Sequence, residues 1–222
     1  MRWSGGQTGD SVAAWDGWVV ISVPHDNELL LVDVRAKKVA GRIPFKDPRG
    51  VLFDEKGRLL VATATRVQRY ELDTATAKLS GEATVVSGLE DAQQLTHDTA
   101  GNIYVGDWGG QHVVKMFSPA GALVRTFGKP GSPQLGSFDN QRMHYPKGLA
   151  VDTRGQPWVA DADHLPKRIG AWSVKDGSLV RSFLGGPKYG GGGALDPADR
   201  SRIYYGMFNG AQDKFCRNLS IS

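Results

Sequence analysis

A repeated turn-and-strand unit constrains this chain more than any other feature. Three turns read Asp54-Glu55-Lys56-Gly57, Asp98-Thr99-Ala100-Gly101 and Asp152-Thr153-Arg154-Gly155. Aspartate first and glycine fourth is type I turn chemistry: the carboxylate caps the turn, and glycine follows without strain. Four residues after each glycine stands a valine (Val61, Val105, Val159), then a small residue (Ala62, Gly106, Ala160). In two copies an aspartate comes next, Asp107 and Asp161. Downstream, Gly121-Ala122-Leu123-Val124-Arg125-Thr126-Phe127 is matched by Gly177-Ser178-Leu179-Val180-Arg181-Ser182-Phe183. The two phenylalanines are 56 residues apart and Asp98 and Asp152 are 54 apart, so a whole unit recurs rather than one motif. Weaker copies flank these, around Asp16-Gly17-Trp18 at one end and Asp196 with Ile203-Tyr204-Tyr205-Gly206 at the other.

Each unit holds four short apolar stretches. In the third unit they fall at 93–97, 102–106, 112–118 and 122–127. Four antiparallel strands in a unit of about 40–50 residues is the signature of a propeller blade. The 29 glycines, many of them in turns, agree with an all-β chain. The spacing predicts an all-β propeller of four-stranded antiparallel blades at 11–47, 48–91, 92–145 and 146–190, with a partial blade at 191–222. The repeated valines should face the cores between blades. Trp158, Trp172, Phe117, Phe127 and Phe183 are expected to pack there as well.

The run Pro146-Lys147-Gly148-Leu149-Ala150-Val151-Asp152-Thr153-Arg154-Gly155-Gln156-Pro157-Trp158-Val159-Ala160-Asp161 resembles the NHL-repeat family almost position by position. The resemblance is good over residues 92–184, moderate over 48–90 and loose at both ends. The glycine run 190–193 before Ala194-Leu195-Asp196-Pro197 departs from it. Rings of this family usually hold six blades, so the resemblance implies four to five blades of an incomplete six-bladed ring. Such an arc would expose a sheet edge open to self-association, or be closed by another chain.

Bulk properties narrow the function classes. The net charge of +4 comes from lysines and arginines interspersed with acids, which argues against a nucleic-acid-binding face. The single cysteine, Cys216, rules out an intrachain disulfide and a cysteine-rich zinc site. No stretch approaches the roughly 18 apolar residues of a membrane span. Residues 1–6 have no apolar run. The chain as written therefore reads as cytoplasmic, or as secreted or periplasmic if a leader preceded it.

Function is sought where the repeat is decorated. Arg49 and Lys147 each precede the glycine of a first strand, and Gln93 holds the same place five residues before Asp98. All three are expected to line one end of a central channel. The insertion at 129–145 adds Phe138, Asp139, Asn140, Arg142 and His144, and within-blade loops add Trp108, His112, Asp163 and His164. The ligand-binding candidates are therefore Arg49, Gln93, Trp108, Arg142, His144, Lys147 and His164. Gluconolactonase-like calcium propellers carry Asn or Asp at the channel-mouth position. Arg49 and Lys147 offer Ca²⁺ no oxygen there, so no cofactor is expected. A zinc site from His112, His144 and His164 is the weaker alternative. No nucleophile elbow or Walker loop is present. The leading expectation is a non-catalytic platform for a protein, polysaccharide or acidic ligand. The alternative is a lactonase-like hydrolase or lyase at the channel mouth, using His144, His164 or Asp163.

Overall fold

The aspartate turns form because each carboxylate collects the amides that the turn leaves free. In the computed structural model, which describes residues 9–133, 139–161, 167–184, 193–195, 202–206 and 216–220, Asp54 accepts from the amides of Lys56 and Arg58. Asp98 does the same for Ala100 and Asn102, and Asp152 for Arg154 and Gln156. Gly57, Gly101 and Gly155 sit at φ of 75°, 80° and 77°, which an L side chain adopts only under strain.

These turns join the first two strands of successive sheets. The first sheet is β1 (Ser11–Trp15), β2 (Trp18–Val23), β3 (Glu28–Asp33) and β4 (Lys38–Pro44). The second is β5 (Val51–Phe53), β6 (Leu59–Thr63), β7 (Arg66–Asp73) and β8 (Lys78–Ser87). The third is β9 (Ala92–His97), β10 (Ile103–Asp107), β11 (Val113–Phe117) and β12 (Leu123–Phe127). The fourth is β13 (Pro146–Val151), β14 (Pro157–Asp161), β15 (Arg168–Trp172) and β16 (Leu179–Leu184). Every sheet is an antiparallel meander in chain order, and the four stand around a central axis as propeller blades. Strands β17 (Gly193–Leu195), β18 (Arg202–Gly206) and β19 (Cys216–Ser220) form a further three-stranded antiparallel sheet. Among the described residues the only helical turn is the 3₁₀ segment Pro24–Asp26, and no helix is long and apolar enough to cross a membrane.

Side chains alternate between the two faces of each blade, and facing blades share a core. Ala13, Val20, Leu29, Leu31 and Ile43 of the first blade meet Val51, Phe53, Leu59, Val61 and Tyr70 of the second. Leu60, Ala62 and Val67 on the second blade's other face meet Leu95, Ile103, Val105 and Phe117 of the third. Tyr104, Val114, Met116 and Phe127 then meet Val159 and Trp172 of the fourth, with Met143 between them. Val61, Val105 and Val159 thus occupy three successive inter-blade cores, with exposures of 0%, 0% and 1%. Burial of each contributes about 1.5–3 kcal/mol relative to an exposed position.

Phe183 departs from the expectation that it packs in a core. It lies on the outermost strand β16, opposite Ile169, and is 54% exposed. Its only aromatic neighbour among the described residues is Trp158, at a centroid distance of 6.2 Å. Phe127 and Phe183 occupy equivalent places, each on the blade face turned from the preceding blade. Phe127 is covered there by Val159 and Trp172 of the fourth blade, whereas the face of the fourth blade that carries Phe183 and Trp158 joins none of the three described cores.

Candidate functional site

The first strands of the four blades begin together at one end of the central axis. Lys147 is the extra residue of a β-bulge, since Pro146 pairs with Asp161 and Gly148 with Ala160. Gln93 falls in the corresponding irregularity between the pairs Leu95–Val105 and Ala92–Asp107. In the second blade the Arg49 amide donates to the Ala62 carbonyl, and the Ala62 amide donates to the Gly50 carbonyl. Bulges of this kind re-aim a side chain out of the sheet.

The equivalent position in the first blade is Asp10, whose amide donates to the Ser22 carbonyl as that of Arg49 does to Ala62. Sequence counting missed it. The first blade uses the two-residue turn Asp16-Gly17, with φ of 41° and 81°, instead of an Asp-x-x-Gly turn, so counting back from Asp16 lands one residue late.

These mouth residues form a neutralised network. The Arg49 guanidinium pairs with Asp91, and with Asp47 at 3.2 Å, and donates to the Ala92 carbonyl at 3.1 Å. Burial alone would pull the Arg49 pKa down, but Asp91 and Asp47 more than restore it and the guanidinium stays charged. Gln93 is buried, with its side-chain amide 3.4 Å from the Asp91 carbonyl. Lys147 Nζ lies 2.7 Å from Asp10 Oδ1. The Gln94 side-chain amide donates to the Asp10 carbonyl at 3.0 Å, while its oxygen accepts from the Ser11 hydroxyl at 2.8 Å. Below the mouth, inner-strand residues including Val12, Trp15, Phe53 and His97 line a cavity of about 540 Å³.

Beside Lys147 stands an aromatic and histidine cluster. The β10–β11 loop supplies Trp108 and His112, and the end of the insertion supplies His144 and Tyr145. Trp108 and Tyr145 meet edge to face at 4.8 Å, and Tyr145 meets His112 at 4.6 Å and His144 at 4.3 Å. The Tyr145 amide donates to His112 Nδ1 at 3.2 Å, and Trp108 Nε1 donates to the Pro146 carbonyl at 3.0 Å. His112 is buried, whereas Tyr145 is 39% exposed. Lys147 Nζ sits 5.8 Å from the centre of the Trp108 ring, within cation–π range.

Other charges are committed to holding the loops. Asp107 accepts from the amides of Glu90 and Asp91 and from buried Lys115 at 2.6 Å. Arg168 pairs with Asp161 at 2.7 Å and donates to the carbonyls of Asn140 and Arg142, pinning the insertion to the fourth blade. Arg142 is itself turned into the insertion, where it bonds the carbonyls of Pro130 and Gly131 and pairs with Asp139. The structure therefore brings Trp108, His112, His144 and Lys147 together, with Arg49 and Gln93 along the same mouth, and sets Arg142 apart. Phe138, Asp163 and His164 lie outside the described residues. The ring centres of His112 and His144 are 5.2 Å apart. Among the described residues no three histidine, cysteine or acidic side chains gather as metal ligands.

No family model and no curated protein matches this chain. Solved structures do match. A Bacteroides caccae protein of unknown function aligns with a TM-score of 0.60 at 16% identity, over 95% of this chain and 74% of that one. Kuenenia stuttgartiensis hydrazine synthase aligns with a TM-score of 0.58 at 13% identity, over 93% and 58% respectively. Virginiamycin B lyase from Staphylococcus aureus gives 0.55 at 12% identity, over 92% and 65%. The chain thus spans about three-fifths of the length of the latter two. At these identities the likeness shows the propeller fold alone.

Proposed function

We propose that this chain is a non-catalytic binding propeller of NHL-like type, an arc of a six-bladed ring that presents its channel mouth to an acidic ligand. The observation that carries the reading is the convergence of Trp108, Tyr145 and Lys147, from two loops and a strand bulge, into one contiguous surface. Aromatic rings beside a cation suit a ligand with apolar ring faces and negative charge. The loops are held rigid by the Asp107 and Arg168 networks, which suits recognition with little reorganisation. Titration calorimetry against carboxylated oligosaccharides tests it. Trp108→Ala and Lys147→Met should each weaken binding by about tenfold or more, with melting temperatures close to that of the parent. Undiminished affinity in both variants would remove the mouth from the reading.

The second reading, a lactonase-like hydrolase or a lyase, draws on the closeness of His112 and His144. Either imidazole could serve as a general base there. Stoichiometric Ca²⁺ or Zn²⁺ in the purified protein, together with turnover lost in His144→Ala, would favour it over the binding platform.

A further inference from the structure

We propose that Lys147 and Gln94, flanked by Trp108 and Tyr145, form a site for the carboxylate of a uronic-acid-type saccharide, and that Asp10 occupies this site in cis. The inference rests on the binding-platform reading and adds the ligand's chemistry and the way access to it is controlled.

Asp10 already makes the contacts an incoming carboxylate would make. Its Oδ1 takes the Lys147 ammonium at 2.7 Å, and its Oδ2 lies 3.4 Å from Gln94 Nε2. The Gln94 amide is oriented for this: its oxygen accepts from the Ser11 hydroxyl, and its nitrogen donates to the Asp10 backbone carbonyl at 3.0 Å, which leaves its second hydrogen for a carboxylate. The pair is reachable from solvent: the Lys147 side chain is 41% exposed and that of Asp10 21%. An ion pair so exposed contributes little to stability, so it can be exchanged for an equivalent pair with a ligand. Asp10 precedes β1, and its amide donates to the Ser22 carbonyl at 2.9 Å. A turn of its side chain frees Lys147 without breaking the sheet.

The ring neighbours choose the ligand class. A carboxylate seated on Lys147 lies beside the Trp108 face, with half-exposed Tyr145 next to it. A sugar ring bearing that carboxylate places its C–H face against these aromatics. An acidic peptide has no such ring to place there, and so gains only the ion pair. Charge balance holds throughout, since one carboxylate replaces another beside one ammonium.

Binding of trigalacturonate to the full chain tests this. Asp10→Asn removes the internal competitor while leaving an oxygen for Gln94. It should bind about fivefold more tightly than the parent. Adding Lys147→Met to Asp10→Asn should abolish the gain. In the parent chain, the Asp10 carboxyl carbon resonance should move as trigalacturonate saturates, a readout that survives if a variant folds poorly. Parent-like affinity in Asp10→Asn, or an Asp10 resonance that stays still while ligand binds, overturns the inference and leaves the platform reading intact. Binding of an oligoglutamate but not of trigalacturonate overturns the saccharide assignment. No binding of either probe by the parent or by Asp10→Asn overturns the inference and the platform reading together.

Discussion

Asp107 and Asp161 end equivalent strands in neighbouring blades, yet each takes its cation from a different place. Asp107 finds Lys115 at the middle of β11, and Asp161 finds Arg168 at the start of β15. That both aspartates recur with the fold was open to sequence. Their partners were not, because each lies on the neighbouring strand and its reach depends on packing. The same holds for Asp10, whose role emerges only from strand pairing. Asp107 is fully buried, and its removal would strand Lys115, which is itself nearly buried. Asp107→Ala should therefore cost about 3–5 kcal/mol in urea unfolding, the usual penalty for orphaning a buried charge. Combining Asp107→Asn with Lys115→Met should restore part of that, since asparagine can still accept from the Glu90 and Asp91 amides. A single-variant loss below about 1 kcal/mol would mean that water reaches Lys115 readily.

At the level of elements, the turns were the most legible part of the chain because their chemistry is local. The bulges and the insertion were less so: a bulge adds one residue with no compositional mark, and the insertion is held by Arg168 from another blade. The turns also make a prediction about acid. Burial alone would raise the Asp98 pKa, but the Asn102 side chain and amide, the Tyr104 hydroxyl and the Ala100 amide outweigh it, and the value falls below the ordinary 3.8. Asp54 is lowered in the same way, its burial outweighed chiefly by the Arg58 and Lys56 bonds. Asp152 is held at about 2, first by the Gln156 amide, against desolvation that acts the other way, with Trp158 and Arg154 adding to the lowering. A carboxylate whose folded pKa is depressed binds protons more readily when unfolded. Its stabilisation is complete above the unfolded value and is lost as pH falls through the folded one. The melting temperature should therefore hold above about pH 5 and fall between about pH 4 and pH 2. The Asp98→Asn, Asp152→Asn variant should start lower at neutral pH and fall less steeply through that window. Parallel curves for parent and variant would assign the acid sensitivity to other groups.

The whole molecule was legible as a propeller because a repeat multiplies one weak signal several times, and each blade buries its faces only against its neighbours. What the repeat could not supply is the state of the faces that the first and fourth blades turn from their described neighbours. On the fourth blade, Trp158, Ile169 and Phe183 share the face turned from the third blade, and Ile169 is 51% exposed. On the first blade, Val12, Ala14, Val19 and Ile21 share the face turned from the second, and Val12 is 65% exposed. Both faces carry exposed apolar side chains, and we propose that the face of one copy receives the other face of a second. Such a contact is heterologous, joining unlike patches head to tail, and it strengthens with concentration. Sedimentation velocity from low to high micromolar concentration should show the weight-average coefficient rising. Ile169→Ser with Phe183→Ser removes two large apolar groups from one side of the contact without touching any described inter-blade core. This variant should sediment as a monomer throughout the range while keeping the parent's circular dichroism. A parent chain that sediments as a monomer at every concentration would show that these faces are covered within a single copy.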